Sequence, residues 1–202
     1  FPTRRSSDLG LQQLLKRFDI PVYTKQGTWR EIQDKLIVPK NRLIELTKGS
    51  LTLGSLIVEP FSVSHDAADP IGINVFAGNN KATIVTDTGV ISDNILRRID
   101  DTTLLVLEAN YDPHMLRFGP YQPFLKQRVA SDEGHLSNEM AAQALLMMKR
   151  PDFMQVILAH RSENNNNAVL VTQTIGKMLV DGGVRIGPEM KLQHGQPNEI
   201  VS

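Results

Sequence analysis

The pattern of apolar and polar positions changes near residue 87. Before it, a long and partly alternating apolar run predicts a strand that ends at His65, and the segment 71–89 predicts a hairpin of two apolar strands with its turn at Asn79-Asn80. After it, continuous apolar runs at 103–109 and 154–160 alternate with segments of helical period. Such runs are typical of strands buried on both faces. The order therefore predicts an α/β fold with helices packed on layered sheets.

Helices are predicted in five places, at 10–18, 27–36, 92–99, 137–150 and 166–183. In the second of them, Thr28 and Glu31 have the spacing of a capping box, and Ser92 is the predicted N-cap of the third. The segment 42–65 predicts two strands around a Lys48-Gly49 turn, and 184–190 predicts a closing strand.

Composition limits the classes of function. The chain has 202 residues, 41% hydrophobic and 22% charged, which is enough for one sizeable domain over 10–202. The polar segment 1–9 is interpreted as an artefact or a disordered tail. A net charge of +0 gives no global attraction to nucleic acid or lipid, and the absence of cysteine excludes disulfides and thiolate metal sites. With neither an apolar span nor a signal peptide visible, a cytoplasmic protein is expected.

Candidate chemistry lies where strands end. His65, Asp87 and His160 each close an apolar run, and the ends of neighbouring strands are where α/β proteins place functional groups. Imidazole and carboxylate groups suit Zn²⁺ or Mn²⁺, so the three side chains predict a shared metal site. His135 directly precedes a predicted helix N-terminus, a position that favours an anion.

Each of these residues also has an ordinary structural interpretation. His65 fits a hydrogen-bonded residue at a sheet edge, Asp87 a turn and His160 the end of a strand. The common placement favours a shared site over separate structural roles. The segment 117–128 mixes basic and aromatic residues. This mixture suits a segment that binds a nucleic-acid strand, and it equally suits a solvated loop anchored by its aromatic residues.

Several segments, in order and spacing, resemble a metallo-β-lactamase-fold hydrolase of the WalJ/YycJ group, which is linked to 5′ exonuclease activity on DNA. They are "VSHDAADPIGINV", "ATIVTDTG", "LLVLEANYD", "GHLSNE" and "LAHRSENNN". The resemblance covers the chain from Gly10 onward and implies an αββα sandwich with two divalent ions, Zn or Mn, that activate water.

The resemblance also implies residue roles. It makes His65, Asp87 and His160 metal ligands, and it makes His135 the catalytic group that contacts the scissile phosphate or protonates the leaving oxygen. Glu108 resembles a carboxylate that orients a ligand, and Asp66 is expected to act in the same way. The residues expected to bind substrate are Ser137 and Asn138, together with Lys126 and Arg128 of the basic and aromatic segment 117–128.

One departure from the family is large. The motif His-x-His-x-Asp-His, which supplies ligands to both metals, does not occur in the 202 residues. We therefore expect a partial sandwich that lacks its first strands and a chain that is inactive as given. The leading function is a metal-dependent phosphodiesterase that acts on DNA 5′ ends. The alternatives are hydrolysis of a small ester, thioester or cyclic phosphate, and a metal-free binding or regulatory protein.

Overall fold

The structure, a computed structural model, describes residues 6–47 and 49–195. Its contacts divide these residues into two compact units, whereas the sequence analysis treats 10–202 as one domain. The smaller unit contains the residues before Lys48 together with Ala67–Asp69. The larger unit contains 49–66 and the chain from Pro70 onward.

The smaller unit is built from short elements: α1 (Ser6–Arg17), β1 (Val22–Thr24), α2 (Gln26–Ile32), a 3₁₀ turn (Lys40–Arg42) and β2 (Leu43–Glu45). Strands β1 and β2 pair in parallel. Helix α1 begins inside the segment that the sequence analysis sets aside, and residues 1–5 of that segment lie outside the described residues.

The capping box predicted for α2 is wrong. The N-cap is Lys25, which makes no side-chain cap, and the Thr28 hydroxyl donates instead to the Asp69 carbonyl at 3.3 Å. Asp69 belongs to the same unit, and its carboxylate also lies 3.8 Å from the Lys25 ammonium. The Thr28 hydroxyl therefore bonds a residue 41 positions away in sequence and does not cap the helix, as its local spacing had predicted.

The larger unit contains a seven-stranded sheet in the order β3-β4-β5-β6-β7-β8-β9. Its strands are β3 (Leu51–Leu53), β4 (Leu56–Ser62), β5 (Ile71–Ala77), β6 (Asn80–Val85), β7 (Leu104–Glu108), β8 (Met154–Ala159) and β9 (Met190–His194). Its helices are α3 (Asp93–Ile99), α4 (Pro113–Phe118), α5 (Pro123–Val129), α6 (Asn138–Met147) and α7 (Ala168–Asp181). Pairing is antiparallel from β3 to β6 and parallel from β6 to β9. The change in pattern near residue 87 thus marks the change from hairpins to βαβ connections.

Two predicted strands are misplaced. The hairpin of β3 and β4 turns at Gly54-Ser55, β2 belongs to the smaller unit, and Lys48 lies outside the described residues. The closing strand begins only at Met190, because a turn at Gly187 precedes it. Gly187 has a φ of 99°, and its N–H donates to the Met190 carbonyl, a conformation that glycine adopts without strain.

The hydrophobic core of the larger unit lies between the sheet and helices α6 and α7. Alternate residues of β7 and β8, such as Leu105, Leu107 and Val156, are fully buried on one face, as are Leu145 of α6 and Ile175 of α7. Each such side chain contributes about 1.5–3 kcal/mol by its removal from water. The parallel register then aligns the carboxyl ends of β6, β7 and β8 at one edge of the sheet.

Candidate metal centre

The predicted site residues lie at that edge. Glu108 is the last residue of β7, His160 directly follows β8, and Asp87 follows β6 after one intervening residue. Asp87 and His160 have φ values of 55° and 54°, in the left-handed region that few residues other than glycine adopt. Asp and His tolerate this region better than most side chains, and such strained positions concentrate at functional sites.

Asn110 holds the strained His160 in place, and the sequence analysis missed it. Its side-chain amide donates to the His160 carbonyl at 2.7 Å. Its own backbone N–H donates to the Leu136 carbonyl, next to His135. Asn110 therefore links the two histidine-bearing loops, a role for which a single asparagine in the sequence gives no signal.

His65 presents an available ring nitrogen inside the larger unit. Its side chain is buried, and Nδ1 lies 3.1 Å from the Glu133 carbonyl and 3.0 Å from that of Gly134. Carbonyls only accept, so these bonds assign the proton to Nδ1 and the lone pair to Nε2. Nε2 is buried without a hydrogen-bond partner among the described residues, and it lies 3.5 Å from Asp87 Oδ1.

Glu108 organises the other two histidines. Its fully buried carboxylate accepts from Nδ1 of His135 at 2.8 Å and from Nδ1 of His160 at 2.6 Å, both through Oε1. The other oxygen accepts from the backbone N–H groups of Thr88 at 3.0 Å and Leu136 at 3.3 Å. Both rings therefore donate from Nδ1 and turn Nε2 away from Glu108.

The charge of Glu108 is maintained by these bonds. Burial by itself acts to raise the pKa of the Glu108 carboxyl, but the hydrogen bonds from His135 and His160 outweigh burial and hold that pKa below its ordinary value. A charged carboxylate in the core is thus matched by four donors.

The donor set fits a divalent metal ion. Ligand atoms of His65, Asp87 and His135 lie within 4.8 Å of one another. Nε2 of His160 lies 3.7 Å from Asp87 Oδ1, so that carboxylate is shared by the rings on both sides. Glu108, His135 and His160 also lie within that distance of one another, but direct Nδ1–Oε1 hydrogen bonds occupy the space between them. The geometry therefore favours an orienting role for Glu108, and the imidazoles with Asp87 are the candidate donors.

His135 lies between the other two rings. Its centroid is 5.1 Å from that of His65 and 5.2 Å from that of His160. The structure thus brings His65, Asp87, His135 and His160 together.

Asp66 and Arg128 bind each other. The Arg128 guanidinium donates from Nε and from Nη2 to the two carboxylate oxygens of Asp66, the second at 2.9 Å. This hydrogen-bonded pair lowers the pKa of Asp66 and raises that of Arg128. Lys126, on the same helix α5, donates to the Arg117 carbonyl at 2.8 Å. The two predicted phosphate contacts therefore have protein partners in the structure.

Ser137 and Asn138 are buried and make structural contacts. The Ser137 hydroxyl caps α6 by accepting from Met140 N at 3.1 Å. The Asn138 amide exchanges two hydrogen bonds with that of Asn166, at 3.1 and 2.8 Å. The bonds between Asn138 and Asn166 fasten α6 to the loop before α7.

Replacing Asn138 with alanine is expected to destabilise the fold by about 1–3 kcal/mol, because one buried N–H of the Asn166 amide loses its acceptor. The same amide keeps its bond to the Ala109 carbonyl and the bond that it accepts from Asn167 N. Urea denaturation followed by circular dichroism measures the change. Asn164→Ala, at an exposed position of the same loop, is the matched control. A midpoint shift for Asn138→Ala no larger than that of the control would show that the amide pair contributes little.

Two cavities flank His160. One, of about 340 Å³, is lined by residues of α5 and of the loops that carry the histidines: Asn110, Tyr121, Leu125, Arg128, Val129, His135, His160, Arg161, Ser162, Glu163 and Asn164. We call it the arginine cavity. The other, of about 540 Å³, reaches the start of α7 and shares His160, Arg161 and Glu163. Arg161 was not among the residues that the sequence analysis singled out.

A cluster of imidazoles and a carboxylate at the carboxyl ends of the strands of an α/β sheet is typical of one class, the metal-dependent hydrolases of the metallo-β-lactamase fold. Comparison with known proteins agrees with this class. A family described as "Beta-lactamase superfamily domain" matches residues 8–160, and the chain belongs to this superfamily. No helix in the described part of the chain is both long enough and apolar enough to cross a membrane.

Curated relatives narrow the class. The chain is 33% identical over 190 residues to "Exodeoxyribonuclease YycJ" of Bacillus anthracis, an alignment that covers 93% of this chain and 72% of the relative. It is 29% identical over 194 residues to "Exodeoxyribonuclease WalJ" of Streptococcus pneumoniae, and that alignment covers 94% of this chain and 72% of the relative. The resemblance to the WalJ/YycJ group is confirmed.

Solved structures confirm the fold class. The metallo-β-lactamase fold protein YhfI from Bacillus subtilis superposes with a TM-score of 0.63 at 16% identity, covering 92% of this chain and 69% of that one. Zn²⁺-bound PqqB from Methylobacterium extorquens superposes with a TM-score of 0.63 at 16% identity, and the superposition covers 92% of this chain and 66% of that one. At these identities the superpositions show the fold alone.

Proposed function

We propose that the chain is the metal-binding part of an exodeoxyribonuclease that acts on DNA 5′ ends. One observation carries the proposal: His65, Asp87 and His160 converge with His135 on one point of the larger unit. The similarity to two proteins named exodeoxyribonucleases supports DNA as the substrate.

In this proposal His65, Asp87 and His160 hold divalent ions, Zn²⁺ or Mn²⁺. A bound ion supplies Lewis acidity, which neutralises charge on the phosphate and makes water acidic enough to attack near neutral pH. Tetrahedral Zn²⁺ needs about four donors, and a site for two ions needs more than these residues offer. We therefore propose that the 202-residue chain is inactive alone and needs the family's His-x-His-x-Asp-His ligands.

His135 is the proposed catalytic acid. Glu108 accepts a hydrogen bond from the Nδ1–H of His135, and this bond fixes the orientation of the ring. Nε2 is then the atom that would give a proton to the leaving oxygen.

The segment 117–128 is the proposed DNA contact. Phe118 and Phe124 are 67% and 71% exposed, which leaves ring surface for stacking against bases. Lys126 and Arg128, on the same segment, would contact phosphates after exchanging their present partners.

Replacing Lys126 and Arg128 together by alanine is expected to weaken DNA binding alike for all sequences and to reduce the salt slope by about 0.7 per lost phosphate contact on a single strand. Fluorescence anisotropy with a labelled oligonucleotide, at several salt concentrations, measures both quantities. Arg97→Ala and Lys177→Ala remove two charges elsewhere in the larger unit and serve as the control. An unchanged slope in the Lys126/Arg128 double variant would rule out this surface.

The proposed function is tested with the chain extended by the sequence encoded upstream of Gly10. The extended protein should release nucleotides from a 5′-labelled duplex in the presence of Mn²⁺ or Zn²⁺, and His135→Asn should slow release by about 10²–10⁴-fold. Cleavage of small esters or cyclic phosphates without cleavage of DNA would select the small-molecule alternative. An upstream sequence without the ligand motif, and no activity, would select a metal-free binding role.

A further inference from the structure

Arg161 differs from Arg128, the other arginine of the arginine cavity. It follows His160 directly, is half-buried, and lines both cavities that flank that histidine. Arg128 is neutralised by Asp66, whereas Arg161 makes no ion pair with any residue in the described part of the chain. A half-buried guanidinium without a carboxylate partner, beside the metal cluster, is a strong site for an anion.

The walls of the arginine cavity are suited to a nucleotide. Tyr121 and Leu125 pack against a small core that contains Tyr111 and Val129, so they form a firm surface. An aromatic face and an aliphatic side chain together favour stacking of a base or sugar. The cavity volume of about 340 Å³ is at the small end of the range for ligand sites, as a single nucleotide requires.

We propose that the arginine cavity receives the terminal nucleotide of a DNA strand, with Arg161 binding its 5′-phosphate. The proposal rests on the proposed function and deepens it, since it gives a reason for cleavage near an end. A terminal 5′-phosphate carries more charge than an internal phosphodiester, and a bidentate guanidinium recognises this difference. Arg161 is thus a specificity-determining residue.

Glu163 opposes this recognition. Its exposed carboxylate lines the same cavity, and it repels a phosphate dianion. Replacing Glu163 by glutamine removes the repulsion and keeps the shape. The variant should therefore bind a 5′-phosphate more tightly than the unmodified chain.

The test measures binding of deoxyadenosine 5′-monophosphate and of deoxyadenosine to the 202-residue chain by titration calorimetry, without added metal. The unmodified chain should bind the monophosphate about tenfold more tightly, as one charge-assisted contact provides. Arg161→Ala should abolish the difference and leave nucleoside binding unchanged, Arg161→Lys should keep part of it, and Glu163→Gln should enlarge it. Arg97→Ala, at an exposed position of α3, should behave as the unmodified chain.

The outcomes separate this inference from the function on which it rests. Equal affinity for both ligands, or a preference that survives in Arg161→Ala, would overturn the role of Arg161 and leave the nuclease proposal to its own assay. An Arg161-dependent preference in a protein whose extended form cleaves no DNA would support the phosphate site and refute the nuclease. Absence of binding of either ligand at millimolar concentration would overturn the nucleotide cavity.

Discussion

Replacing Glu108 with glutamine is expected to destabilise the larger unit by about 3 kcal/mol. The carboxylate accepts four hydrogen bonds, whereas an amide places an NH₂ group against two of the four donors. Each buried donor left without an acceptor costs about 1–3 kcal/mol. For a chain of this size, that loss lowers the melting temperature by about 6–12 °C.

The same substitution should weaken metal binding by about 10–100-fold, because His135 and His160 lose the acceptor that orients them. Differential scanning fluorimetry measures the melting temperature, and isothermal titration with Zn²⁺ measures the affinity. Glu139→Gln, at an exposed position in the first turn of α6, is the matched control. If Glu108→Gln behaved as this control in both measurements, Glu108 would not organise the site.

Replacing Asp87 with asparagine is expected to abolish stabilisation of the chain by Zn²⁺. A ligand at about 100 times its dissociation constant stabilises the folded state by about 2.7 kcal/mol, and this gain depends on the shared carboxylate. Asparagine tolerates the left-handed conformation that Asp87 adopts, so the backbone can stay in place while the negative charge is lost.

The measurement for Asp87→Asn is the melting temperature with and without Zn²⁺. Asp132→Asn is the control, because it removes an exposed carboxylate that is close to His135 in sequence. It should leave the Zn²⁺ effect unchanged. A full Zn²⁺ effect in Asp87→Asn would place the ion elsewhere. A lower melting temperature without metal would instead show that the substitution disturbs the loop itself.

The strand-end residues were predictable from sequence because each of them closes an apolar run that predicts a strand. His65, Asp87 and His160 each follow such a run, and parallel pairing brings the last two to one edge. The N-cap of α3 at Ser92 was likewise predictable from its local pattern, and the structure has this cap. Ser137 caps α6 in the same way, but this cap was not predicted.

Other parts of the site depend on contacts that carry no local pattern. Asp66 and Arg128 are separated by 62 residues, and Asn110 and His160 by 50. The cavity position of Arg161 also follows from tertiary packing. The prediction of short strands fails for another reason. Strand β2 has only three residues, and so short a segment shows no periodic pattern that would indicate which sheet it joins.

Anomalous diffraction at the zinc edge shows whether His65, Asp87 and His160 hold divalent ions, with Asp87 placed between the two histidines. In crystals of this chain grown with Zn²⁺, the account predicts an anomalous peak about 2.0–2.1 Å from Nε2 of His65, next to the Asp87 carboxylate. Peaks confined to His114 or His194, with none at the cluster, would contradict the claim.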